Sequence, residues 1–249
     1  MKIIISPAKK MRVQTDIMEE TSMPVFLEDA KQLHGLLKEY SMEQLGKLFG
    51  ANEAITRQNY ERYQTMDLER GLTPAVLAYV GLQYQSMAPD IFTGSQWDYV
   101  KDHLRILSGF YGVLKACDGV VPYRLEMQAR LPVDGNRDLY GFWGSRIYEE
   151  LTADGDSVIV NLASKEYSRA VEPWLKASDT FITCVFGTEQ GGKVRVKATA
   201  AKMARGEMVR FMAANGIECV GKLKEFTALG YRYREEYSCE NEYVYVQET

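Results

Sequence analysis

Apolar and polar positions recur along this chain in two periods, and the two together predict helices and strands in mixture. Over residues 28–40, Leu33, Leu36, Leu37 and Tyr40 fall on one face at helical spacing, which predicts an amphipathic helix. Ser41 with Gln44 reads as a capping box that opens a second helix, and Gly50 stops it. A third helix is expected over about 52–66. The clearest amphipathic stretch runs from about Ala200 to Ala214. There Lys202, Arg205 and Arg210 gather on one side, while Met203, Ala204, Met208, Phe211 and Met212 occupy the other. Gly216 supplies its stop.

Short runs rich in β-branched residues predict buried strands at 2–5, 75–80, 157–162 and 180–186. A hairpin partner is expected at 193–197, and the chain closes on two alternating strands at about 230–237 and 241–247. The segment between 81 and 94 reads as a loop. No repeat, low-complexity tract or linker interrupts the pattern. The expected fold is therefore α+β, a mixed α/β arrangement: one compact domain over residues 1–249, with a central sheet wrapped by helices.

The stretch His103–Leu131 is the densest in signals. A helix capped by Ser95 with Asp98 is expected to carry Trp97, Val100, Leu104 and Leu107 at helical spacing and to break at Ser108-Gly109. Gly109 and Gly112 then bracket a tight turn, flanked by Arg105 and Lys115. Two readings stay open. One is a glycine stop followed by a packed aromatic turn. The other is a helix-hairpin-helix-like element, whose glycines let backbone amides approach a phosphate. Beyond it, residues 120–127 read as extended, with Tyr123, Leu125 and Met127 on one side and Arg124 and Glu126 on the other. Arg124 and Glu126 are either a structural ion pair or an anion clamp beside a general base.

Polar groups also stand just past two predicted strand ends. Ser6, Pro7, Ala8 and Lys9 follow the first strand; Asn161 to Ser164 follow the strand at 157–162. Such positions suit an anion or small ligand, or are ordinary turns. If both line one cleft, a candidate site forms from Ser6, Lys9, Tyr123, Arg124, Glu126, Asn161, Ser164 and Lys202. In it Glu126 would be acid or base, with Lys9 and Tyr123 as its catalytic company, and Lys9 and Arg124 would also hold an anion.

Charge sharpens this picture. The net charge is −4, against indiscriminate nucleic-acid binding by the whole surface. Yet Lys193 to Arg234 holds ten basic residues against three acidic ones, and five glutamates follow. Such segregation is expected where one face meets an anion. No run of eighteen apolar residues and no signal-peptide pattern occurs, so a cytosolic protein with no membrane partner is expected. The cysteines (Cys117, Cys184, Cys219, Cys239) form no CxxC pair, and His34 and His103 lie far apart. No zinc or di-iron spacing and no Walker loop is present, so neither a metal nor a cofactor is expected.

Several blocks in order carry a more specific signal. They are Ile5-Ser6-Pro7-Ala8-Lys9, His103 to Gly109 with Tyr111 to Leu114, and Pro122 to Met127. Leu139-Tyr140 with Phe142 to Gly144, Asn161 to Ser164 with Glu166-Tyr167, and Lys202 with Ala204 to Gly206 complete the set. On these the chain resembles the DUF328/UPF0246 family, the bacterial peroxide-stress proteins called YaaA. The resemblance implies a cytosolic protein that protects the cell under hydrogen peroxide and helps keep free iron low. It also implies a fold outside the common superfolds, with a helix-hairpin-helix element and a basic cleft that binds double-stranded DNA, distorted or bulged DNA included. A monomer is the simpler expectation. The other reading from the residues is an enzyme acting on a nucleotide or nucleobase-like substrate.

Overall fold

The computed structural model of this chain describes residues 1–14 and 22–248. Strand β1 (Lys2–Ile5) is buried along its whole length, as three consecutive isoleucines require a partner on both faces. Pro7 ends it, and a two-residue strand β2 (Lys10–Met11) follows. Helices α1 (Leu27–Lys38), α2 (Met42–Phe49) and α3 (Glu53–Thr65) come next. The expected capping box is formed: the Ser41 hydroxyl accepts from Gln44 N–H while the Gln44 side chain accepts from Ser41 N–H. Gly50 ends α2 in the left-handed region, with φ 54°.

The run 75–80 is not the expected strand. A short strand β3 (Thr73–Pro74) leads into a helical turn α4 (Ala75–Ala78), then strand β4 (Tyr79–Val80). Ala75 to Tyr79 are all buried, so the run carries no periodicity to tell one element from the other. Helix α5 (Leu82–Met87) occupies part of the expected loop. Helix α6 (Gly94–His103) is capped by Thr93 with Gln96, not by Ser95 with Asp98.

The helix expected through Leu104 and Leu107 also gives way. Strands β5 (Leu104–Ser108) and β6 (Gly112–Lys115) form an antiparallel hairpin, with Arg105 opposite Lys115 and Ser108 opposite Gly112. The helix-hairpin-helix reading of Gly109–Gly112 is therefore corrected to a β-hairpin. Leu104 and Leu107 imitate helical spacing only because every residue of β5 is buried, so no strand alternation survives. Gly109 and Gly112 have packing reasons. A Cβ on Gly109 would lie 2.6 Å from the Leu125 carbonyl oxygen; one on Gly112 would lie 2.9 Å from the Phe26 and Trp143 rings. Gly112 also has φ +70°.

After β7 (Gly119–Val120) the Pro122–Glu126 segment belongs to no strand, a departure from the extended strand expected there. Helices α7 (Leu139–Trp143) and α8 (Arg146–Leu151) precede strand β8 (Val158–Leu162). A single turn α9 (Lys165–Ser168) follows, then the long strand β9 (Thr180–Gln190) and its hairpin partner β10 (Lys193–Arg195). Helix α10 (Ala198–Asn215) ends at Gly216 as expected, and β11 (Tyr231–Tyr233) pairs with β12 (Glu242–Gln247) to close the sheet.

The main sheet has eight strands in the order β11-β12-β9-β8-β1-β5-β6, with β10 on β9. The pairings β12–β9, β9–β8, β8–β1 and β1–β5 are parallel; the outer ones are antiparallel. The fold is thus mixed α/β around a central sheet flanked by helices. From β1 the chain crosses to β5 on one side and later to β8 on the other. The carboxyl ends of β1 and β8 therefore meet where the winding reverses, the place open α/β sheets leave a crevice.

Candidate functional site

That crevice is a cavity of about 370 Å³, a size usual for small-molecule sites. Ser6, Lys9, Tyr123, Arg124, Glu126, Ser164, Lys202 and Arg205 all line it. Each arrives from a different constraint. Ser6 stands one residue past β1 and Ser164 two past β8, and register holds them side by side. Ser6 Oγ accepts from Ser164 N at 2.8 Å and donates to Ser164 Oγ at 3.2 Å. The Tyr84 hydroxyl donates to the Ser6 carbonyl at 2.9 Å and fixes the strand end from α5.

Arg124 and Glu126 are held by the packed segment behind them. The Tyr63 hydroxyl on α3 donates to the Arg124 carbonyl at 2.7 Å. Gly109 lets the hairpin backbone press against Leu125 and Glu126 from the other side. One carboxylate oxygen, Glu126 Oε1, meets two cations: Arg124 Nη2 at 2.9 Å and Lys9 Nζ at 3.0 Å. The Glu126 and Arg124 side chains are 10% and 11% exposed, that of Lys9 65%. The pair with Arg124 is therefore little screened, whereas Lys9 gains little from its own.

Tyr123 sits in a buried chain of hydroxyls. Ser108 Oγ accepts from Phe110 N at 3.1 Å and Tyr111 N at 2.8 Å, which uses both lone pairs. Its proton therefore goes to the Tyr123 oxygen at 2.7 Å, and the Tyr123 and Tyr79 hydroxyls share a further hydrogen bond of 2.8 Å in which either can donate. Burial pushes the Tyr123 phenol up to about 12, so it stays neutral.

Helix α10 forms the opposite wall. Gly206 packs flush on α5: a Cβ there would lie 2.1 Å from the Gln83 carbonyl oxygen. The neighbouring Arg205 is thereby set against the cavity, and its Nε is buried without a hydrogen-bond partner. Burial pulls its guanidinium below the ordinary value. Arg124 Nε is also buried without a partner.

The remaining candidates stand elsewhere. Asn161 is buried beneath the crevice, where it donates to Thr183 Oγ1 at 3.1 Å and accepts from Ala163 N at 2.9 Å. Arg105 is nearly buried and donates to the Leu104 and Lys101 carbonyls at the end of α6. Lys115 is exposed on the hairpin and Arg210 lies further along α10; neither lines the cavity. The basic run Lys193–Arg234 does not converge on one face. Lys224 sits over the Tyr233 and Tyr243 rings, and Arg232 and Arg234 pair with Glu248.

Gln83, Tyr84, Glu166 and Tyr167 also line the cavity. The sequence does not mark Gln83 and Tyr84, because the segment 81–94 reads as a loop; Glu166 and Tyr167 enter only through the family resemblance. Burial pushes the Glu166 carboxyl above its ordinary value; a backbone N–H from Gln128 opposes this, and nearby Glu126 adds to it. Two further cavities adjoin. One of about 550 Å³ shares Lys9 and Glu126 as its boundary and is lined by Lys47 and Arg130. The next, about 640 Å³, shares Gln128, Arg130 and Glu166, and is lined by Arg137, Lys165 and Arg169.

The sequence model of the family described as peroxide stress protein YaaA matches residues 1–237. The chain belongs to the YaaA peroxide stress family. A UPF0246 protein of Desulfitobacterium hafniense strain Y51 is 53% identical over 247 residues, covering 99% of this chain and 98% of its own length. A UPF0246 protein of Pediococcus pentosaceus is 50% identical over 247 residues, with the same coverage. One of Limosilactobacillus reuteri is 47% identical over 246 residues, covering 98% of each chain. The YaaA family match thus runs through both walls of the cavity, from Ser6 to Arg205.

Among the described residues, no helix is long and apolar enough to cross a membrane.

Proposed function

We propose that this protein acts in peroxide stress by engaging DNA along the three adjoining cavities and drawing a single nucleotide into the innermost one. The observation that carries this reading is the charge of the lining. Lys9, Lys10, Lys47, Arg124, Arg130, Arg137, Lys165, Arg169, Lys202 and Arg205 face only three acids: Glu126, Asp138 and Glu166. A continuous cationic track suits a phosphodiester backbone, whereas a pocket with aromatic walls suits an unstacked base. Family membership supplies the peroxide setting. Lowered free iron would follow downstream of this binding, because a lining with this charge repels a metal cation.

The test is duplex binding, with and without an extrahelical nucleotide, at about 50 and 200 mM salt. Strongly salt-dependent binding is expected, tighter to the distorted duplex. The Arg130→Ala/Arg169→Ala double variant should lower the salt slope by about 2. No binding at the lower salt overturns the reading. A catalytic reading draws on Glu126, a carboxylate held by two cations at the cavity wall. Release of a base or nucleoside product from the bound strand would be its sign.

A further inference from the structure

The innermost cavity contains an imbalance that the protein itself does not resolve. Arg205 is largely buried, yet among the described residues no carboxylate pairs with it. The titratable neighbour that it feels is the Cys184 thiol, which burial pushes up to about 12 and so keeps neutral. Among the described residues its buried Nε has no acceptor, and neither does that of Arg124 in the same lining. A buried, charged donor left unsatisfied is costly, and such groups are normally paired. Gly206 locks α10 onto the α5 backbone, so Arg205 cannot relieve the cost by a shift of the helix.

A third donor stands at the strand ends. Ser6 Oγ gives its proton to Ser164 Oγ, which leaves the Ser164 O–H free to donate to a ligand in the cavity that it lines. The cavity holds five basic side chains against two acids, a surplus of three positive charges. A phosphate monoester carries about −1.5 to −2 charge at pH 7 and three acceptor oxygens. Apart from Gln83 and the strand-end serines, the remaining lining is apolar or aromatic and includes Val80, Leu82, Tyr84, Tyr123 and Tyr167.

We infer that the innermost cavity is a nucleoside monophosphate site, with the phosphate held between Arg205, Lys202 and Arg124 and the ring body against the tyrosine wall. The inference rests on the reading of this cavity as a nucleotide pocket and adds its anion subsite. The same chemistry has two sources, a free nucleotide or a phosphate-bearing strand end.

The experiment is calorimetric titration of the full chain with a nucleoside 5′-monophosphate, its nucleoside, inorganic phosphate, and a single-stranded tetranucleotide with and without a 5′-phosphate. The monophosphate is expected to bind at least about tenfold more tightly than nucleoside or phosphate alone. Preference for the monophosphate over the tetranucleotides assigns the free source. Preference for the 5′-phosphorylated tetranucleotide assigns the strand end. Arg205→Met should weaken monophosphate binding about thirtyfold while raising the Tm of the unliganded protein, because it removes an uncompensated charge. Lys202→Ala, at an exposed position, should weaken binding without a change in Tm.

Equal binding of nucleoside and monophosphate overturns the inference. So does an Arg205→Met variant that keeps full affinity, or one that folds poorly while Lys202→Ala binds normally. Salt-dependent duplex binding that survives those results leaves the DNA reading standing and removes the phosphate subsite alone.

Discussion

The β5–β6 hairpin and the cavity at the ends of β1 and β8 carry similar residue types, glycines, tyrosines and cations, to opposite ends. In the hairpin most of these devices are spent internally. The Phe110 and Tyr111 amides donate to Ser108, Arg105 donates to the end of α6, and Asp118 accepts from Ser22 and from the Lys115 backbone. None of these groups is left for a phosphate, and the Lys115 side chain stands exposed on the hairpin away from the cavity. In the cavity, two arginine Nε atoms lack acceptors and cations outnumber acids. A glycine turn between cations is therefore weak evidence for anion binding until its amides are known to be unpartnered.

The largest effect that bears on this contrast belongs to Gly112→Ala. It forces a positive φ on a residue with a Cβ and drives that atom into the Phe26 and Trp143 rings. A loss on the order of 3 kcal/mol in chemical denaturation is expected. A variant of parental stability with weakened DNA binding would return the hairpin to a functional role. Next comes Glu126→Gln, which leaves the nearly buried Arg124 without its charge partner. It should cost about 2 kcal/mol, since the exposed Lys9 arm adds little. The same variant should bind anions more tightly and, if Glu126 is an acid or base, lose turnover. Weaker anion binding would break the assigned charge balance.

The strands β1, β8 and β9, the capping box at Ser41 and the stop at Gly216 were legible because each rests on local chemistry. What escaped were runs buried on all sides that lack the unbroken β-branched residues of β1. Ala75–Tyr79 and Leu104–Ser108 are buried throughout, so the period that separates helix from strand is erased. The cavity was legible in part. Strand-end serines and the Arg124–Glu126 pair point to it through position in the chain alone. Gln83 does not stand out, since its short helix carries loop-like sequence. Arg130, Arg137 and Arg169 did not, since they are scattered in sequence and gathered only by the fold.

Smaller effects sharpen the contrast further. Arg130→Ala should lower the salt slope of DNA binding by about 1, and Lys115→Ala should leave it unchanged with stability within about 0.5 kcal/mol of the parent. Equal slopes for the two variants would sink the proposed track. The smallest effect concerns Glu166, whose folded-state carboxyl is held above its unfolded value. Its favourable contribution is present at acidic pH and is lost as pH rises through the folded value. Glu166→Gln should therefore have a slightly higher Tm than the parent at neutral pH. The gap should close as pH falls toward about 4, and thermal melts across that range would show it.

The placement of β1 has a consequence in time. It is made before the rest of its sheet, and its sheet neighbours are β5 and β8, ending at Ser108 and Leu162. At roughly 5–20 residues per second, translation keeps the Ile3–Ile5 segment waiting on the order of ten seconds or more for its second neighbour. Through that interval a strand destined for the centre of the sheet is an open, sticky edge. Synthesis under stress is when a helper that shields nascent chains would matter most to this protein's yield.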